Sequence, residues 1–213
     1  MLDAGKNSLG VRVLRAMMLR LMRIFFRIEH SGMECIPPKG PLLIVSNHVT
    51  YFDPFWIGVA CYRRIRFMAW DKIFRFAPAG MLFRWFGAFP VSLTKPESGA
   101  YKTAIRILKE GEALVIFPEG GRSTDGSLMS FKNGAANLAM KSAAPIVPVA
   151  IAGGEKVWSR GMRFPRPAKV RVFFLPPIFP DSFPEDPALL MSQLRSAIDK
   201  KLAAERQSVR NNQ

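Results

Sequence analysis

Short continuous apolar runs alternate along the chain with stretches in which apolar residues recur every three to four positions. Leu42-Leu43-Ile44-Val45, Ala113-Leu114-Val115-Ile116-Phe117 and Ile146-Val147-Pro148-Val149-Ala150-Ile151 show no polar face. Such runs predict strands covered on both sides. Val170-Arg171-Val172-Phe173-Phe174 is more alternating and predicts a fourth strand. Helical spacing predicts helices at 54–61, 78–86, 99–109, 132–141 and 187–204. In the last of these, Leu190, Leu194, Ile198 and Leu202 recur every fourth residue as a core stripe. Strands alternating with helices predict an α/β domain with a largely parallel central sheet flanked by helices. The polar end, 207–213, is expected to fray.

The first thirty residues follow a different pattern. From Leu9 to Ile28 the sequence carries Arg12, Arg15, Arg20, Arg23 and Arg27 among apolar residues. On a helix of roughly 100° per residue, Arg12, Arg20, Arg23 and Arg27 share one face. Leu14, Met17, Met18, Leu21, Ile24, Phe25 and Ile28 share the other. An arginine at a bilayer centre costs about 2.5–3.5 kcal/mol, so a spanning helix is not expected. A signal peptide would need an uncharged core and a small-residue cleavage site. Two readings stay open: an amphipathic helix lying in a membrane interface, where each arginine near an anionic surface contributes roughly 1 kcal/mol, or a helix packing its apolar face on the domain. The expected organisation is an amphipathic membrane-surface helix over 1–30 and one catalytic domain over 31–213. A proline-rich connector, 34–41, lies between the helix and the first predicted strand. Removing 1–28 is expected to release the protein from anionic liposomes.

Composition narrows the partners. The 213 residues fit one domain of ordinary size, and 31 Lys and Arg against 16 Asp and Glu leave a formal charge of +15. An anionic partner follows, and charge alone does not choose among nucleic acid, an acidic membrane and a phosphorylated small molecule. No aromatic-basic RNA motif, zinc finger or basic coiled coil is visible, so nucleic acid is not the expected partner. Two cysteines, Cys35 and Cys61, and two histidines show no metal-ligand spacing, so no metal is expected.

Two segments following predicted strands carry candidate chemistry. Ser46-Asn47-His48-Val49-Thr50-Tyr51-Phe52-Asp53-Pro54 opens a helix, with Asp53 and Pro54 suited to its cap and first turn. A carboxylate reaching His48 would fix its tautomer and leave the other ring nitrogen to take a proton from a hydroxyl. Asp53 is read either as that carboxylate or as a helix cap alone. In Phe117-Pro118-Glu119-Gly120-Gly121-Arg122-Ser123, glycines permit close backbone approach and Arg122 offers a donor fork suited to phosphate. Glu119 is expected to hold Arg122 or a substrate hydroxyl. Lys132, before the helix at 132–141, is a further candidate for an anion.

The order and content of these segments resemble the glycerolipid acyltransferase family. Its Asn-His, four variable residues and Asp are matched by Asn47, His48 and Asp53. Its Phe-Pro-Glu-Gly-Thr-Arg-Ser is matched at six of seven positions from Phe117 to Ser123, and its Val-Pro strand by Pro145-Ile146-Val147-Pro148-Val149. The resemblance runs from about 41 to 177. It implies acyl transfer from acyl-CoA or acyl-carrier protein to the free hydroxyl of 1-acyl-glycerol-3-phosphate, with no covalent acyl-enzyme and no cofactor. It assigns His48 as base, Asp53 as its partner, and Glu119, Gly120, Arg122 and Lys132 to substrate binding. A peripheral enzyme on the cytoplasmic face of a membrane, as in the bacterial inner membrane, is the implied location. Two positions depart from the family: Leu93 stands where an arginine is usual, with Lys95 the nearby substitute, and Gly121 replaces a threonine. These departures keep another lysolipid or an amino-lipid open as acceptor. The aromatic stretch 67–89 is read either as the lining of an acyl-chain channel or as core.

Overall fold

A computed structural model describes residues 9–92, 98–159, 161–183 and 186–211. Seven strands form one sheet: β1 (Glu29–Ser31), β2 (Leu42–Ser46), β3 (Ile65–Trp70), β4 (Ala88–Val91), β5 (Ala113–Ile116), β6 (Ile146–Ala152) and β7 (Arg171–Phe174). Their order is β1-β7-β6-β2-β5-β3-β4, and every pairing is parallel except β6 with β7. The helices are α1 (Leu9–Phe26), α2 (Asp53–Ala60), α3 (Ala77–Trp85), α4 (Ser98–Lys109), α5 (Gly134–Ser142), α6 (Glu155–Trp158) and α7 (Pro187–Asn211).

The unbroken apolarity of β2 has a direct cause in this layering. Leu42 and Ile44 enter one core with Trp56 and Ile57 of α2. Leu43 and Val45 point the other way, into a core with Ile107 and Leu108 of α4, Leu138 of α5 and Leu194 of α7. Each fully buried side chain of this size stabilises the fold by roughly 1.5–3 kcal/mol, so both faces of the strand need apolar residues. Register then aligns the strand ends, with Val45 opposite Ile116 on one side and Pro148 on the other. The loops leaving β2, β5 and β6 therefore emerge side by side, at the sheet end where open α/β sheets bind ligands.

Several expectations need correction. β1, β3 and β4 were not anticipated: β1 is a three-residue polar edge segment, while β3 and β4 lie within the aromatic stretch 67–89. α7 runs to Asn211, so most of the tail expected to fray is helical. α5 begins at Gly134, leaving Lys132 in the preceding loop. The apolar run of the N-terminal helix ends earlier than its periodicity suggests, because α1 stops at Phe26 and Arg27 turns left-handed at φ 44°. Phe26 and Ile28 then join the core, while Val13, Met17, Leu21, Ile24 and Phe25 stay exposed alongside Arg20 and Arg23. The side chains of Arg12, Leu14, Arg15 and Met18 lie outside the described set, as do Leu93 and Lys95. Removing 1–28 would strip two core residues, so substitutions at Leu21 and Ile24 are the cleaner probe of this helix.

Candidate active site

The loop after β2 is held from three sides. Asn47 uses both ends of its amide on β6, donating to the Ile151 carbonyl at 3.0 Å and accepting from the Ile151 amide at 2.8 Å. The His48 amide donates to Glu119 Oε1 at 3.0 Å, and the His48 carbonyl accepts from the Ser123 amide at 2.8 Å. Gly154, at the start of α6, presses against the same loop: a Cβ there would lie 2.5 Å from Val49 Cγ2, so only glycine fits. The backbone of the candidate base is thus fixed by neighbours more than seventy residues away.

Asp53 fixes the ring. His48 Nδ1 lies 2.7 Å from Asp53 Oδ2, and a carboxylate only accepts, so Nδ1 carries the proton and Nε2 is left basic. The Val49 and Thr50 amides donate to the same oxygen at 2.7 and 2.8 Å. Asp53 is therefore not a cap for the helix that follows it; its carboxylate turns back onto the preceding loop. Its side chain is 0% exposed and that of His48 is 20% exposed, so the pair buries the acid and leaves the base reachable. Phe117 stacks on the imidazole with ring centroids 4.1 Å apart and planes 19° from parallel.

The loop after β5 supplies the cations. Arg122 lies with its guanidinium carbon 3.5 Å from the Tyr51 ring centroid, and Tyr51 is in turn 5.0 Å from the Trp158 ring. Tyr51 belongs to the His48 loop, so stacking brings the guanidinium to the histidine side of the cleft. Its Nη1 is buried without a partner among the described residues. Lys132 donates its amide to the Pro118 carbonyl at 3.0 Å, and its ammonium lies where a side chain on Gly120 would project, 2.8 Å from that Cβ position. Gly120, at φ 71°, takes a left-handed turn that favours glycine.

Glu119 departs from one of its two expected roles. It does not hold Arg122: its two oxygens accept from the His48 amide and, at 3.3 Å, the Met129 amide. Burial pushes its carboxyl above the ordinary glutamate range, and the two amide donors pull part of the way back. Glu119 is a clamp between loops. Sequence reasoning also missed Tyr51, whose signal was an aromatic residue two positions before the acid, and the double amide bond of Asn47, a polar residue before a histidine at a buried strand end. Among the described residues no group of three or more His, Cys, Asp or Glu is gathered to hold a metal ion.

The strand ends of this α/β sheet thus carry a buried acid, a reachable histidine and, on the loop after β5, two cationic side chains, all drawn from the motif segments. The Acyltransferase family model matches residues 27–152, which include both motif loops, and the chain belongs to that family. It is 31% identical over 162 residues to the 1-acyl-sn-glycerol-3-phosphate acyltransferase of Limnanthes alba, covering 75% of this chain and 57% of that one. It is 26% identical over 202 residues to 1-acyl-sn-glycerol-3-phosphate acyltransferase alpha of Mus musculus, covering 91% and 70%. The crystal structure of the 1-acyl-sn-glycerophosphate (LPA) acyltransferase PlsC from Thermotoga maritima has the same fold, with TM-score 0.75, 24% identity and coverage of 92% of this chain and 82% of that one. The chain spans between 39% and 57% of the length of the plant relatives it matches.

Proposed function

We propose that this chain transfers a fatty acyl group from acyl-CoA or acyl-carrier protein to the free hydroxyl of 1-acyl-glycerol-3-phosphate, giving phosphatidic acid. The 2.7 Å contact between His48 and a fully buried Asp53 carries this reading. His48 Nε2 takes the hydroxyl proton as the oxygen attacks the thioester carbonyl, and Asp53 stabilises the imidazolium. The tetrahedral intermediate collapses with loss of the thiolate, which recovers the proton from His48. Arg122 and Lys132 receive the acceptor phosphate, Arg122 through the part of its guanidinium that remains accessible. Glu119 and Gly120 shape the turn that presents them.

The exposed apolar residues of α1, interspersed with Arg20 and Arg23, support docking on an anionic membrane face. No helix among the described residues is long and apolar enough to cross a membrane. The thioester donors are cytoplasmic, which favours that face.

The test crosses both thioester donors with lysophosphatidic acid, lysophosphatidylcholine and an amino-lipid acceptor. Thiol release is expected with lysophosphatidic acid. Release only with a phosphate-monoester-free acceptor would move the acceptor to another lysolipid, the direction in which Gly121 points by removing a hydroxyl beside Arg122. The stack predicts a further kinetic split. Tyr51→Ala frees the guanidinium and is expected to raise KM for lysophosphatidic acid roughly 2- to 30-fold, the worth of a cation–π contact, with kcat little changed. Tyr51→Phe should retain the parental KM. A fall in kcat at constant KM in the alanine variant would assign Tyr51 a different role.

A further inference from the structure

The acyl-transfer chemistry makes no use of the stretch between β3 and β4. The reading of residues 67–89 as core holds for part of that stretch. Phe67 is buried, and Phe83 and Phe86 pack on Phe55 with centroids 5.7 and 5.1 Å away. Phe74 also packs on the core, but five large side chains face outward: Trp70, Phe76, Met81, Leu82 and Trp85 are all exposed, Met81 to 71% and Phe76 to 67%. Single exposed apolar residues are ordinary, but five within one short excursion form a patch that asks for a partner.

The charges within the patch distinguish the partner. Lys72 Nζ sits 4.7 Å from the Trp70 ring centroid and the Arg84 guanidinium 4.9 Å from that of Phe74. Arg75 is 75% exposed, with a single ion pair to Asp71 at 3.9 Å. Cationic heads and half-exposed tryptophans around aliphatic tips suit the headgroup boundary of an anionic bilayer. The core of a protein interface is instead depleted of lysine.

Position agrees with chemistry. Trp70 ends β3, which runs parallel to β5, so the patch begins at the sheet end that carries His48. Phe83 of α3 and Phe26 of α1 pack into the same core, on the sheet face that holds α2. The geometry points to a second membrane-contact surface, residues 70–85, that starts at the sheet end carrying His48, runs back along α3 toward the start of β4 and enters an anionic bilayer, while α1 makes a separate attachment. It rests on the proposed function only in that the bilayer supplies the acceptor lipid. Two attachments on one rigid domain multiply their affinities, so loss of either weakens binding steeply.

The experiment uses the full chain with vesicles of equal parts phosphatidylglycerol and phosphatidylcholine, with and without brominated acyl chains. Met81→Glu/Leu82→Glu is expected to raise the dissociation constant at least ten-fold, as is Leu21→Glu/Ile24→Glu on α1, with the melting temperature unchanged. Brominated chains should quench the parent's tryptophan fluorescence, and Trp85→Phe should remove part of that quenching. A Met81/Leu82 variant binding within two-fold of the parent, or quenching indifferent to Trp85, overturns the proposal. Should the double variant fail to fold, the Trp85 comparison decides alone. A short-chain lysophosphatidic acid dissolved as monomers separates the two readings. If the parent cannot acylate it, the proposed activity fails, while the vesicle results still judge the surface.

Discussion

His48→Ala is expected to lower turnover about 10²–10⁴-fold, the contribution of a positioned general base, while leaving the protein folded. The structural loss is small because the imidazole is part-exposed and makes one side-chain hydrogen bond, to Asp53. Asp53 Oδ2 keeps the Val49 and Thr50 amides as donors, so no buried acceptor is orphaned at that oxygen. The backbone clamps from Glu119 and Ser123 involve only main-chain atoms of residue 48 and survive the substitution. Thiol release from acyl-CoA in the presence of lysophosphatidic acid, with a thermal melt on the same preparation, checks both halves. A folded variant that keeps more than a tenth of the parental rate removes His48 from the proton transfer.

Asp53 should behave differently, because one oxygen serves both chemistry and structure. Asp53→Ala leaves the Val49 and Thr50 amides buried without an acceptor, at about 1–3 kcal/mol each, and removes the partner of His48. Loss of activity should therefore come with a clearly lowered melting temperature. Asp53→Asn separates the two functions. Its amide oxygen can still accept from the two main-chain donors, but it carries no charge to stabilise the imidazolium, so turnover should fall about 10²–10⁴-fold. The amide nitrogen must occupy the buried Oδ1 position, which has no partner among the described residues, costing about 1–3 kcal/mol. The expected order of melting temperature is parent, then asparagine, then alanine. An alanine variant that melts with the parent would show that the loop does not depend on this carboxylate.

Much of this architecture is legible in the chain because burial leaves a plain signature. β2, β5 and β6 read as continuous apolar runs since helices cover both faces, and the core stripe of α7 is buried as its spacing required. β1 left no signature: Glu-His-Ser at a sheet edge has no core face to advertise. β3 and β4 were hidden because Phe, Met and Trp favour a strand, a helix or a surface patch according to context. The acid and base are five residues apart, close enough for local reasoning to pair them. The expected pairing of Glu119 with Arg122 failed for the opposite reason. A carboxylate beside an arginine in sequence suggests an ion pair, but its partners are main-chain amides at His48 and Met129, which residue types do not reveal. Tyr51 and Arg122 lie 71 positions apart, and only the alignment of β2 with β5 brings them into contact.

Three successive amides, those of His48, Val49 and Thr50, all donate to carboxylates of the protein itself. None of these three amides is therefore free to donate to an incoming reactant. In the proposed reaction, negative charge gathering on the attacked carbonyl would have to be met by donors other than these three. In the proposed transfer the base and the cations thus come from two neighbouring strand ends, whose relative position is set by the pairing of β2 with β5.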